Sequence, residues 1–386
     1  MKALSAPSFA SRLRQSCLSL VSPLHEGNRG KQAMKKTDNS KNGPIPNMQY
    51  GLQKLKGIVA LFFSAICTLS LIIVYFGLQG GHGPNAGLPS DPYWIYTLDY
   101  TPNNSNLDVR DSLVAFGFSI FKETPQHIGP LANEEGLRLS GNMLSCSNCH
   151  LDQGTKPYSA PLIGVVQRFP QYRGREHRMG TIEDRINGCM ERSMNGKMMS
   201  PNGKEMRSLV AYLTWLGRYA PKDGQVAGKG FMEFTIPDRP VNTLKGGEIY
   251  GMQCAKCHRP DGQGLKSGNT YIYPPLWGPH SYNNGAGMAR VLTAARFIKG
   301  NMPFGTTYEN PLLSDDEAYD VAGYINQQNR PTKLDLEKDF PDLKRKPVSS
   351  PYPPYADNFP IEQHQMGPYA PMMEYYLKTY NIKKTK

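Results

Sequence analysis

The chain has 386 residues, 39% of them apolar, and a formal net charge of +12. Ten basic and two acidic side chains fall within residues 1–56, so +8 of that charge lies upstream of an apolar run and only +4 is spread over the remainder. A nucleic-acid-binding protein carries its basic patch on a folded face, so no nucleic-acid partner is expected, and the length allows two or three small domains.

Residues 1–56 read as a basic cytoplasmic segment. Residues 57–78 carry no charge and match the roughly 20 residues a helix needs to cross a bilayer. Lys54 and Lys56 flank the entry side, which keeps the N-terminus in the cytoplasm and exports the rest of the chain. A cleaved signal peptide is the alternative, but its apolar region is usually only about 7–15 residues and ends at a small-residue cleavage site. The expectation is an inner-membrane anchor leading into a periplasmic protein, with residues 79–108, rich in Gly, Pro and Asn, as linker.

A first domain is expected over 109–222. Asp111 to Lys122 places Val114, Ala115, Phe118 and Phe121 at helical spacing. Cys146-Ser147-Asn148-Cys149-His150 comes next, then an irregular Arg-rich stretch from Arg168 to Arg178. Thr181 with Asp184 three residues on is the start signal of a helix carrying Arg185, Cys189 and Ser193. A third helix, Glu205 to Gly217, sets Leu209, Tyr212, Leu213 and Leu216 on one face.

The plan repeats over 223–330: a helix from Gly246 to Met252, Cys254-Ala255-Lys256-Cys257-His258, a Pro-Pro-Leu-Trp loop at 274–277, a helix from Met288 to Lys299, and a closing helix opened by Ser314 and Glu317. Ala318, Val321, Ala322 and Ile325 form its inner stripe. Residues 331–386, rich in Pro and Tyr, read as a tail that wraps a module.

Both pentapeptides are C-x-x-C-H, the attachment signature of c-type haem. Cys146, Cys149, Cys254 and Cys257 are thereby assigned to two covalent haem c groups, with His150 and His258 as proximal iron ligands. The fold class expected is mostly α, two tandem cytochrome c-type domains after an N-terminal transmembrane helix. For the sixth ligand of the second haem, Met302 stands 44 residues after His258 on a Gly/Pro loop, with Met288 and Lys299 as rivals. Of seven cysteines, Cys17 precedes the apolar run, Cys67 lies inside it, four carry haem and Cys189 is left over. Cys189 stands 39 residues after His150 and is the candidate sixth ligand of the first haem; Met190 and Met194 are rivals, and a buried inert thiol is the alternative fate. On a helix Arg185, Cys189 and Ser193 share a face, and an arginine one turn away stabilises a thiolate.

Arg185-Ile186-Asn187-Gly188-Cys189-Met190-Glu191-Arg192-Ser193-Met194-Asn195-Gly196 resembles the signature of thiosulfate dehydrogenases, the tetrathionate-forming di-haem cytochromes c. Phe169 to Arg175 and Gln363 to Tyr369 are similar to that family too, so the resemblance runs over roughly residues 100–370. It implies a catalytic His/Cys haem, an electron-transfer His/Met haem, substrate binding by Arg175, Arg185 and Ser193, and delivery of electrons to a cytochrome c-type acceptor. Some members carry a lysine just before the methionine that exchanges onto iron; Asn301 stands there, so no such exchange is expected. The rival reading is a membrane-tethered di-haem electron carrier without catalysis. A di-haem peroxidase would need a distal acid/base constellation, for which the sequence offers no candidate.

Overall fold

A computed structural model describes residues 56–70, 91–98, 100 and 111–385. Residues 1–55, residues 71–78 of the expected anchor and most of the expected linker lie outside them. The chain divides into two units at Gly87/Leu88. In the first, residues 56–70 form helix α1, fully exposed along its length. Among the described residues no helix is long and apolar enough to cross a membrane.

The second unit is mostly helical and carries both C-x-x-C-H motifs. Its first module is built on α2 (Asp111–Lys122), the short α3 (Thr124–Ile128), α4 (Leu151–Gly154) directly after the first motif, α5 (Ile182–Arg192) and α6 (Lys204–Leu216). The apolar stripe expected on α6 is its buried face: Leu209, Tyr212, Leu213 and Leu216 pack with Ile120 and Phe121 of α2. The two helices cross at Gly117, where an added Cβ would lie 2.0 Å from the carbonyl oxygen of Ser208. The Arg-rich stretch taken as irregular is a hairpin: β1 (Gln171–Arg173) pairs antiparallel with β2 (Arg178–Gly180), Tyr172 opposite Met179. Within the stretch assigned to linker, Trp94–Thr97 form a 3₁₀ turn whose Ile95 is buried in the same core.

The second module repeats the frame. Helix α7 (Thr243–Ile249) runs through a π-turn at Tyr250–Cys254 into α8 (Ala255–His258), which ends on the second motif. Strands β3 (Leu265–Ser267) and β4 (Thr270–Tyr273) form a second hairpin. A 3₁₀ turn at Gly287–Ala289 precedes α9 (Val291–Asn301), so the helix expected from Met288 begins three residues later. Helix α10 (Asp315–Asn326) closes the module, with the capping box of Ser314 and Glu317 in place and Ala318, Val321, Ala322 and Ile325 all buried. Here too the crossing needs a glycine: a Cβ at Gly246 of α7 would stand 2.2 Å from the carbonyl oxygen of Asp320.

The modules are sewn together rather than merely tethered. Tyr282, Ala286 and Ala289, from the second module, are buried in the core of the first. Asn142 Nδ2 donates to Ser281 O at 3.1 Å, and Asn283 Nδ2 donates to Glu191 O at 2.9 Å, so residues 281–289 lie against the C-terminal end of α5. The tail straps both modules. Phe340 N donates to Arg175 O at 2.8 Å on the first. Tyr369, Met372 and Tyr376, borne by or next to α11 (Ile361–Met366) and α12 (Ala370–Tyr380), are buried in the core of the second.

Candidate active site

Each C-x-x-C-H motif opens onto a cavity. The first is lined by Cys146, Cys149, His150, Arg185, Cys189, Ser193 and Met194 beside apolar side chains such as Phe121 and Leu213. The second is lined by Cys254, Cys257, His258 and Met302 with Leu276, Phe297 and Ile298. The histidines are held alike: Nδ1 of His150 donates to Ala160 O at 2.7 Å, and Nδ1 of His258 to Pro274 O at 2.8 Å. A carbonyl only accepts, so the proton is fixed on Nδ1 and Nε2 is left with its lone pair as a metal donor.

The donor sets fit haem c. Two thiols stand ready for thioether bonds, a neutral imidazole is oriented for iron, and a second sulfur donor lines the same cavity in each module. Lys299 is tied to Asp315 by a short ion pair, whereas Met302 lines the second cavity. Met288 lines both cavities, as do Leu144, Cys149 and Tyr282, so one wall serves both cofactors.

The far side of the first cavity is charged. Thr181 accepts from Asp184 N and Asp184 reaches back to Thr181 N, closing the capping box that fixes where α5 begins. From that start, the 3.6-residue repeat turns Arg185, Cys189 and Ser193 to the cavity and Met190 into the core, where it is 2% exposed. Arg185 Nη1 donates to Cys189 Sγ at 2.7 Å. Burial pushes the Cys189 thiol up, but Arg185 and the ring of His150 outweigh it and bring it down to about 6. The thiolate form of Cys189 is thereby favoured, in the cavity it shares with the His150 ring.

Arg175 is tied to the tail. It emerges from the β1–β2 turn, stacks over Phe340 with its guanidinium carbon 4.9 Å from the ring centre, and gives Nη1 to Asp339 and to the Tyr352 hydroxyl. Asp339 also takes Arg192 Nη2 at 2.5 Å, and Tyr352 donates to it at 2.8 Å. Burial opposes ionisation of Asp339, but Arg175 and Arg192 more than offset it, and its carboxyl is held below the ordinary range. One tail carboxylate thus braces Arg175 of the β1–β2 turn and Arg192, the last residue of α5. Sequence reading missed Asp339 and Tyr352, which lie 164 and 177 residues from Arg175 with no periodic relation to it. Arg290, expected inside a helix, stands before the first turn of α9.

Two cofactor cradles of this build, one with Cys189 and one with Met302 in its lining, define a di-haem c-type cytochrome. Residues 140–221 match the SoxA/TsdA cytochrome c domain family and residues 244–329 match the cytochrome c family. The thiosulfate dehydrogenase of Stutzerimonas stutzeri strain A1501 is 40% identical over 57% of this chain and 68% of its own length. That of Allochromatium vinosum is 43% identical over 50% of this chain and 71% of its own. Among solved structures, the thiosulfate dehydrogenase TsdBA of Marichromatium purpuratum superimposes with a TM-score of 0.54 at 34% identity, over 59% of this chain and 48% of that one. The chain belongs to the thiosulfate dehydrogenase family, and it carries two covalently bound haem c groups.

Proposed function

We propose that this protein couples two thiosulfates oxidatively to tetrathionate: the two sulfane sulfurs form one S–S bond, and two electrons leave for an external cytochrome c-type acceptor. The observation that carries the reading is the 2.7 Å contact between Arg185 and Cys189 Sγ in the cavity that also holds His150. Haem c bound in the two cavities supplies the one-electron redox chemistry. The protein's own groups do the rest. Cys189 and His150 would hold the iron of the first site, and Met302 with His258 that of the second. Two dianions must approach one another, and cationic side chains offset their repulsion in a cavity with apolar walls. Arg185 lines that cavity and guides the anion to the sulfur edge of α5, where the Ser193 hydroxyl is a further donor. Arg175 contributes charge while its geometry is held by Asp339 and Tyr352.

On this reading the protein works in the periplasm, tethered to the inner membrane by residues 57–78; the uncharged run behind Lys54 and Lys56, helical and exposed over residues 56–70, supports it. Carbonate extraction of membranes checks the tether: the full chain stays with the pellet, and release into the supernatant counts against it.

The activity is tested on purified protein with thiosulfate and ferricyanide, following tetrathionate, beside an anaerobic assay with tetrathionate and a reduced dye. Turnover in either direction is the expected outcome. Silence in both, with both haems attached, transfers the assignment to a tethered electron carrier.

A further inference from the structure

Leu144, Cys149, Tyr282 and Met288 line both cofactor cavities, so each belongs to the wall that separates them. Three of the four are pinned by something else. Leu144 N donates to Asn142 Oδ1 at 3.2 Å, and Nδ2 of that fully buried amide donates to Ser281 O at 3.1 Å. The hydroxyl of Tyr282 donates to Asn326 Oδ1 at 3.3 Å, and the Arg330 guanidinium lies 4.4 Å over its ring. Cys149 belongs to the first attachment motif, where its sulfur is taken up by haem. Met288 is the exception, an apolar side chain with no polar handle. Its backbone is set by the 3₁₀ turn Gly287–Ala289, with Ala286 and Ala289 buried in the first module's core. Alone among the described residues, Met288 packs against the cores of both modules.

Met288 is also surplus as a sulfur donor, because Cys189 lines the first cavity and Met302 the second. What it supplies is volume without polarity. A thioether on an unbranched, rotatable stem fills an irregular gap that a stiffer side chain would leave open. The ferric state of a haem carries one more positive charge than the ferrous state, so water or a polar group beside it favours oxidation, and an apolar shell favours reduction. A side chain lodged in one cavity tunes one haem. A side chain in the common wall acts on two.

We propose that Met288 is the positioning residue of the electron path: its side chain closes the gap between the two haems, keeps water out of it, and holds the potentials of both. Electrons cross this wall one at a time, the first haem being oxidised and the second reduced, with no proton or ligand moving alongside. The role deepens the electron-transfer half of the proposed function and rests on it.

The test is a redox titration of the holoprotein, followed optically and by electron paramagnetic resonance so that the two haems are resolved, on the parent, Met288→Gln and Met288→Leu. M288Q keeps the length of the side chain and adds an amide, and both haem potentials fall. M288L keeps volume and apolarity, and both stay near parental. Parental potentials in M288Q overturn the proposal, as does a fall confined to one haem. Loss of a methionine–iron charge-transfer band in M288L overturns it too, since Met288 would then be a ligand of one haem rather than a wall between two. Should M288Q fail to load both haems, M288A decides by the same titration: opening the wall to water lowers both potentials, and a parental value at either haem counts against the shared wall. No thiosulfate enters these measurements. A parent that never turns thiosulfate over removes the proposed function, while the potentials still judge Met288.

Discussion

The two haem modules share a frame and differ on one side of it. In both, a leading and a closing helix cross at a glycine, Gly117 against Ser208 and Gly246 against Asp320. In both, the histidine of the motif gives Nδ1 to a loop carbonyl. The sixth position then diverges. The first module presents Cys189 from a helix, with Arg185 on its sulfur and a braced arginine pair behind it. The second presents Met302 from the residue that ends α9, among Pro303, Phe304 and Ile298. Attachment and fold are thus the common labour of the frame; on the proposed function, chemistry is set by what one face of the cavity is made of, with charge and a thiol for reaction, and a thioether and apolar walls for transfer.

Breaking that face should cost most. Cys189→Gly is expected to lower thiosulfate turnover by about 10³-fold or more, since the sulfur belongs to the reacting centre, with both haems still attached by intact mass; turnover near the parental rate would remove Cys189 from the chemistry. Asp339→Asn comes next. It leaves the buried Arg175 without its carboxylate and Arg192 with Glu191 alone, and losing one member of a buried ion pair destabilises by about 3–5 kcal/mol, to be read as a lowered Tm together with weakened activity. Met302→Leu probes the other module: delivery to an external acceptor should slow by about tenfold from the altered potential, while reduction of the first haem by thiosulfate in stopped-flow mixing stays near parental. Equal slowing of both phases would erase the division of labour.

Smaller effects test the shared frame. Gly117→Ala and Gly246→Ala should each destabilise by about 1–3 kcal/mol through overpacking at the crossing, and closely matched losses would show that the modules depend on the same device. Smallest is the pH response. The Asp339 carboxyl is held below its ordinary 3.8, so its ionised form stabilises the fold above that value, and the stabilisation is lost as pH falls below it. The parent should therefore lose Tm on acidification from about pH 5 to about pH 3 more steeply than Asp339→Asn.

What the sequence made legible was local. The C-x-x-C-H motifs, the capping boxes at Thr181 and Ser314 and the stripes on α6 and α10 all depend on residues a few positions apart, and each stands in the structure. Cys189 was found because four cysteines had another use. The bracing of Arg175 was not legible, since Asp339 and Tyr352 come from a tail with no periodic signal.

The wall common to both cavities also bears on assembly. Tyr282 and Met288 reach the first cavity from the second module, and Asp339 reaches the first module from the tail. The reactive pocket is therefore finished by residues made after it. A chain emerging from its N-terminal end can wrap the first cofactor early, yet its arginines meet their counter-charge only once the second module and the start of the tail have been made. Shortening the protein ahead of residue 339 would leave both attachment motifs intact and the reactive site incompletely neutralised, so the order of synthesis separates acquiring the cofactors from acquiring a finished site.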